Sequence, residues 1–218
     1  MAIKFTKSIL EPRGNMEAPT TLGRIKVAAA DFQLLSLTGD RLVEGRSLAE
    51  RLISPNIASL ETMQWVQEKT GLGLMGLTQA ALDQVPDLAH QSPIIGLFGI
   101  VPLNHDGNQA VLSDGFSAID PSFAHVCNQD EEPEGFFGWG IAVSRHEAAR
   151  SIVHIWGLIR QHIVPNLDWY ARAVTNDGAR FLIERMGWLH LERSKLNTLW
   201  YPSFEKAQTL RETAEAAQ

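Results

Sequence analysis

The chain has 218 residues, of which 44% are hydrophobic, and this is enough for one domain with a sizeable core. A formal net charge of −6 disfavours a nucleic-acid-binding surface, and the lack of any run of about 18 apolar residues excludes a predicted membrane span. Cys127 is the only cysteine in the sequence, so an internal disulfide is excluded and a reducing, cytoplasmic compartment is expected.

The N-terminal half is predicted to contain an irregular arm, an apolar segment and several helices. Residues 1–23 mix polar and apolar side chains with prolines and glycines, which favours an irregular arm. Residues 24–37 are apolar and fit either a strand or a helix, the helix being favoured by the three alanines at 28–30. Apolar residues at helical spacing predict three helices, at 42–53, 59–69 and 72–88.

The middle of the chain is predicted to be a hairpin followed by an acidic loop. An apolar run at 93–103 predicts a strand, and the turn residues at 104–108 predict a hairpin with a return strand at 109–119. Residues 122–135 are expected to form an exposed loop. In this loop His125 and Cys127 are either an imidazole-activated thiol or an ordinary loop histidine beside a packed thiol.

Residues 136–188 predict a strand, a long helix, a second strand and a short helix. The first strand, 136–143, is apolar on both faces, and strict alternation would place Phe137, Trp139, Ile141 and Val143 on one face. Its two glycines, Gly138 and Gly140, indicate a close approach to the backbone on the other face.

The rest of this region alternates helix and strand. A helix is predicted at 144–163, with a capping box at Ser144, and a strand at 167–174. A helix from Asn176 ends at Gly187. This order predicts parallel pairing of the two strands. Short strands are expected at 189–192 and 198–201, with a helix or tail at 205–218.

Three polar residues share one face of the second strand, namely Asp168, Tyr170 and Arg172. Buried polar groups in a strand need partners, so the sequence leaves two interpretations open. The three residues bind a ligand, or they form a structural Asp–Arg pair at a strand edge.

The last helix carries the most specific motif in the sequence. Asn176, Ala179, Gly187 and Trp188 match a pattern of Asn, two residues, Ala, seven residues, Gly and an aromatic residue. With the order of elements from residue 93 onwards, this segment resembles the second half of the GCN5-related N-acetyltransferase (GNAT) superfamily. The resemblance implies an α/β fold with a mixed sheet and helices on both faces, formed by residues 24–204 as a single domain. It also implies that the first strand lies within residues 24–37.

The same resemblance implies a function and a set of site residues. An acyl-CoA or acetyl-CoA co-substrate would lie between the strands at 136–143 and 167–174, and it would be bound by Gly140, Val143, Arg145 and Asn176. An amine of a small molecule or protein would accept the acyl group, near the first two helices. Glu134 or His125 would remove a proton from the amine, and Tyr170 would serve as the general acid.

Two departures from the family pattern keep other functions open. The turn Arg145-His-Glu-Ala148-Ala-Arg150 lacks the glycines of the family's pyrophosphate loop, and Ile183 stands where many members have a tyrosine. In one variant of the acyltransferase function, the acyl donor is an acyl-carrier protein, because relatives that use such donors can lack the glycine loop. The alternatives are a non-catalytic GNAT-like binding module and a protein-interaction domain that exchanges its N-terminal arm in a homodimer. No metal, nucleic-acid or membrane site is predicted.

Overall fold

The computed structural model describes residues 28–29, 32–79, 92–144, 156 and 167–216. The strands in these ranges are β1 (Ala28–Ala29), β2 (Phe32–Ser36), β3 (Leu74–Gln79), β4 (Ile94–Leu103), β5 (Gly135–Val143), β6 (Asp168–Arg172), β7 (Leu189–His190) and β8 (Thr198–Tyr201). Within the described ranges they form one sheet in the order β1-β2-β3-β4-β5-β6-β8-β7. The β5–β6 pair is parallel, as predicted, and its neighbours pair antiparallel.

Helices cover both faces of this sheet. They are α1 (Gly39–Leu52), α2 (Leu60–Thr70), α3 (His105–Leu112), α4 (Asn176–Arg180), which continues as a π-helical turn (Phe181–Arg185), and α5 (Phe204–Ala216). The first three contribute to the core on one face, and the π-helical turn and Trp156 contribute to the core on the other. The predicted mixed α/β architecture with helices on both faces is therefore confirmed. None of the helices in the described ranges is both long and apolar enough to cross a bilayer.

The α2 helix begins and ends where its sequence predicts. The Ser59 hydroxyl accepts a hydrogen bond from the Thr62 N–H at 3.0 Å, which satisfies one of the free donors of the first turn. Gly71 follows the last turn with a φ of +67°, a conformation that glycine adopts without strain. The helix predicted at 42–53 is confirmed as α1. The strands predicted at 93–103, 136–143 and 167–174 are confirmed as β4, β5 and β6.

The hairpin predicted at 104–108 is wrong, because these residues begin helix α3. The Asn104 side chain accepts a hydrogen bond from the Gly107 N–H at 3.0 Å and so caps the helix. Asparagine serves equally well in turns and at helix N-caps, so its presence did not distinguish the two structures. The return strand predicted at 109–119 is accordingly helix and irregular chain.

The helix predicted at 72–88 is also wrong where the structure describes it, because strand β3 occupies Leu74–Gln79 between β2 and β4. A short apolar run buried on all sides does not show whether it is helix or strand by its periodicity. Gly76 fits the strand, since a Cβ atom there would lie 2.7 Å from the Leu37 side chain.

Other expectations fall outside the described residues. They concern the N-terminal arm at 1–23, residues 80–88 and the helix at 144–163 apart from Trp156.

Trp156 is helical and buried, with its ring centroid 4.3 Å from that of Trp169 and 5.5 Å from that of Trp188. This aromatic group forms the core on one face of the sheet, next to the end of β5.

Candidate functional site

A β-bulge at Trp139 changes the face to which the side chains of β5 point. Gly138 pairs with Ile100 of β4, whereas Gly140 pairs with Gly99, so Trp139 is the extra residue. A bulge of this kind bends the strand and shifts its alternation by one residue. The prediction that Phe137, Trp139, Ile141 and Val143 share one face is therefore wrong. Phe137 and Trp139 pack on the α1–α3 face, and Ile141 and Val143 pack on the opposite face.

Strands β5 and β6 part at this bulge. Their parallel pairing runs from Gly135 and Asp168 to Gly138 and Ala171, and it stops there. The second half of β5 continues to Val143 beside β4, and no strand in the described ranges pairs with its other edge. The backbone groups along this edge are therefore available to a ligand.

A cavity of about 430 Å³ occupies the space between the parted strands. This volume lies in the range of about 300–1,000 Å³ that small-molecule and cofactor sites have. Its wall comes from both faces of the sheet. Phe98, Trp156 and Trp188 belong to the core on one face, whereas Ile53 and Trp139 pack against the cores on the other. The cavity therefore joins the two sides of the sheet.

The wall also carries a few polar groups. Thr175 caps α4, its hydroxyl accepting from the Gly178 N–H at 3.0 Å. Among the described residues, the Trp188 Nε1–H and the Arg172 Nη2 have no hydrogen-bond partner, and protein atoms cover both of them. The wall that a ligand would contact is therefore mostly apolar.

The predicted cofactor-binding residues lie mostly at this cavity. Gly140 and Val143 form part of the wall. Asn176 is the exposed first residue of α4, between the wall residues Thr175 and Asp177. Arg145 lies outside the described residues. The Ser144 hydroxyl, which the sequence suggests as a helix cap, donates to the Ile95 carbonyl at 2.9 Å.

The predicted catalytic residues group elsewhere, near the start of β5. The Glu134 carboxylate lies 3.0 Å from the His105 ring nitrogen at the surface. His125 closes a short 3₁₀ turn, and its carbonyl accepts from the Asn104 N–H. Among the described residues that line the cavity, none is Glu134, His125 or Tyr170.

Tyr170 is buried within the core that α2 and α3 cover. Its hydroxyl donates to the Asp168 carboxylate at 3.4 Å. Burial, together with the Asp168 charge, raises the pKa of Tyr170 well above its usual range, so the hydroxyl is a weaker acid than an exposed tyrosine. The structure thus places this residue in a core contact and not on the cavity wall.

The Asp–Arg pair suggested for β6 does not form. Asp168 is buried and pairs with Lys206 of α5, and it also accepts from the Ser203 N–H at 2.8 Å. Arg172 donates to the Phe116 carbonyl at 2.7 Å and to the Thr198 hydroxyl at 3.1 Å. Each residue therefore has its own structural partners.

Cys127 is a packed thiol, although the sequence places it in an exposed loop. It is 1% exposed, and burial followed by the nearby Glu131 charge raises its pKa to about 12. Because the thiolate is the reactive form, we expect no measurable reaction of the folded chain with an aromatic disulfide reagent at pH 8. One thiol per chain should react after unfolding in urea. Rapid reaction of the folded chain would contradict this assignment.

Sequence reasoning missed several wall residues. Leu52 and Ile53 reach the cavity from the end of α1, far before β5 in the chain. Only the tertiary fold brings them there. The bulge was also missed, although the glycines at 138 and 140 did indicate a close approach to the backbone.

No protein-family model matches the chain, and no curated protein matches it. Among solved structures, it is similar to AtaTR bound with AcCoA, at 12% sequence identity and a TM-score of 0.36, over 64% of this chain and 74% of that chain. It is also similar to the KacTA–DNA complex, at 14% identity and a TM-score of 0.34, over the same shares of the two chains. Both TM-scores are below 0.5, and no family is assigned from these likenesses.

Proposed function

We propose that the chain is an atypical GNAT-like acyltransferase, which moves an acyl group from a CoA or acyl-carrier-protein thioester to an amine of a small molecule or protein. The observation that carries this proposal is the parting of β5 and β6 beside a cavity, where one edge of β5 pairs with no strand in the described ranges. The thioester's amide-containing arm bonds to the backbone between Gly140 and Val143.

The reaction needs little covalent chemistry from the protein. The amine nitrogen attacks the thioester carbonyl carbon, a C–N bond forms and the C–S bond breaks. The amine loses a proton and the departing thiolate takes one up. Holding the two reactants in the cavity supplies most of the rate gain. The donor enters along the free edge of β5, and the acceptor enters from the α1–α2 face, beside Ile53 and Trp139. Glu134, His125 and Tyr170 stay predictions as acid–base residues.

One observation favours a second function, a non-catalytic binding module. The three predicted acid–base residues do not line the cavity, and Ile183 packs against the core on the Trp156 face. A cavity with this wall binds a ligand without needing any proton transfer. The module would hold the same class of ligand, a CoA-like molecule.

The experiment that separates the two functions monitors free thiol while the chain is incubated with a panel of acyl-CoAs and amines. An acyltransferase releases CoA thiol only when both substrates are present. Thermal stabilisation by CoA without thiol release supports the binding module. If CoA and acyl-CoA neither stabilise the chain nor react, both proposals fail.

A further inference from the structure

We infer that Ile53 and Trp139 form an apolar subsite at the reacting end of the cavity, which binds an alkyl or aryl group carried either by the acyl chain or by the amine. The inference deepens the proposed function and rests on it, because that proposal places the arm of the thioester along the backbone between Gly140 and Val143. The direction in which the strands part, the position of Ile53 and the orientation of Trp139 carry the inference.

The way in which the strands part determines where the thioester lies. β5 and β6 are paired up to Gly138 and Ala171, and the opening continues from there along β5 towards Val143. A CoA-like donor has its nucleotide at one end of the arm and its thioester at the other. The paired strands leave no room for the nucleotide at the closed end of the opening, so the thioester lies near Gly140.

Ile53 borders this closed end from the α1 side. A Cβ atom built at Gly140 would lie 3.0 Å from the Ile53 Cδ1 atom, so this side chain reaches β5 at the point where it parts from β6. Ile53 is partly exposed and lies on the cavity wall, where a ligand contacts it. Its N–H donates to the Ala49 carbonyl at 2.8 Å, and this bond at the end of α1 holds its backbone in place.

Trp139 supplies the second side of the subsite because the bulge turns it towards the α1 face. Gly99 lies opposite the bulge, where a Cβ atom would be 2.9 Å from the Trp139 Cβ. The indole N–H donates to the Ala118 carbonyl at 2.5 Å, so the ring is held in place and its one polar group is already paired. The ring is partly exposed and lies on the cavity wall, so it offers carbon atoms to a bound group.

Two apolar side chains thus lie next to the carbon atom at which the acyl group is transferred. Contacts within the protein fix both of them, so little conformational entropy is lost when a ligand packs on them. Burial of one CH₂ group against such a surface strengthens binding about fourfold. A substrate with a longer alkyl or aryl group at this point gains this affinity, whereas an acetyl group or a small amine gains little of it.

Two series of ligands test the subsite and distinguish the two sources of the apolar group. Titration calorimetry measures the binding of acetyl-, butyryl- and hexanoyl-CoA to the chain without amine. It also measures the binding of ethylamine, butylamine and hexylamine to the chain saturated with CoA, which carries no acyl group and allows no turnover. We expect the affinity to rise about threefold to fourfold for each added CH₂ group until the subsite is filled.

A rise along the acyl-CoA series assigns the apolar group to the acyl chain, and a rise along the amine series assigns it to the acceptor. Affinities that stay level along both series overturn the inference.

Two substitutions and one control assign the rise to Ile53. Ile53→Thr should remove most of it, because a hydroxyl group replaces part of the apolar side chain, and Ile53→Val should keep most of it. Val43→Thr, which changes an exposed residue of the same helix away from the cavity wall, should leave the rise unchanged. If Ile53→Thr lowers the melting temperature but keeps the full rise, Ile53 only packs α1 against the sheet, and the inference is overturned.

The same titrations separate the inference from the proposed function. If CoA binds while the affinities stay level along both series, the proposed function stands and the subsite alone is overturned. If neither CoA nor any acyl-CoA binds, the proposed function fails and the inference fails with it.

Discussion

Replacing Gly140 with leucine is expected to weaken CoA binding by about tenfold or more, because the new side chain enters the cavity between β5 and β6. Among the described residues, a Cβ atom at this position meets only the end of the Ile53 side chain, at 3.0 Å, and the backbone there does not require glycine. The fold therefore accepts the side chain, while a ligand competes with it for space. Overpacking of this kind costs about 1–3 kcal/mol, and a cost of this size in the complex corresponds to a loss of affinity of about tenfold or more.

Titration calorimetry with CoA measures the effect, and the melting temperature of the variant checks the fold. Gly115→Leu is a matched control, because Gly115 is exposed, lies away from the cavity and has no atom closer than 3.6 Å to a built Cβ. The control should bind CoA as the native chain does. Unchanged binding by a folded Gly140→Leu variant would show that CoA does not use this cavity.

Replacing Gly107 with alanine is expected to lower the free energy of unfolding by about 3 kcal/mol or more. Helix α3 packs so closely on the chain before β5 that a Cβ atom at Gly107 would lie 2.0 Å from the His125 carbonyl oxygen. This neighbour is backbone, so the 3₁₀ turn or the helix has to move. Helix propensity alone favours alanine by about 1 kcal/mol, so a measured loss of stability would show that the clash dominates.

Urea denaturation of Gly107→Ala measures this loss. Gly115→Ala is the control and should change the free energy of unfolding by less than about 0.5 kcal/mol, since it has room for the methyl group. A Gly107→Ala variant as stable as the native chain would mean that α3 does not contact the His125 backbone.

The elements that the sequence predicts correctly have strong local signals. Ser59 and Gly71 bound α2, and the helix after Asn176 ends at Gly187, which has a φ of +73°. The strand at 135–143 is a continuous apolar run between polar segments. In each case the residues that determine the element lie within it or next to it.

The errors arise where the structure depends on distant contacts. Residues 74–79 form a strand because β2 and β4 lie on either side of them, and no local residue specifies this. The bulge at Trp139 follows from its register with Gly99 and Ile100 and changes the faces of all later residues in β5. The two glycines indicate only a close approach to the backbone, and a ligand between the two strands is implied by the family resemblance. The part of the cavity wall that α1 contributes depends on the tertiary fold.

A crystal structure of the chain with CoA tests the proposed site most directly. The proposal predicts that the arm bearing the thiol lies between β5 and β6, with its amide groups within hydrogen-bond distance of the backbone between Gly140 and Val143. CoA bound on another surface, with the cavity between these strands left without ligand, would contradict the account.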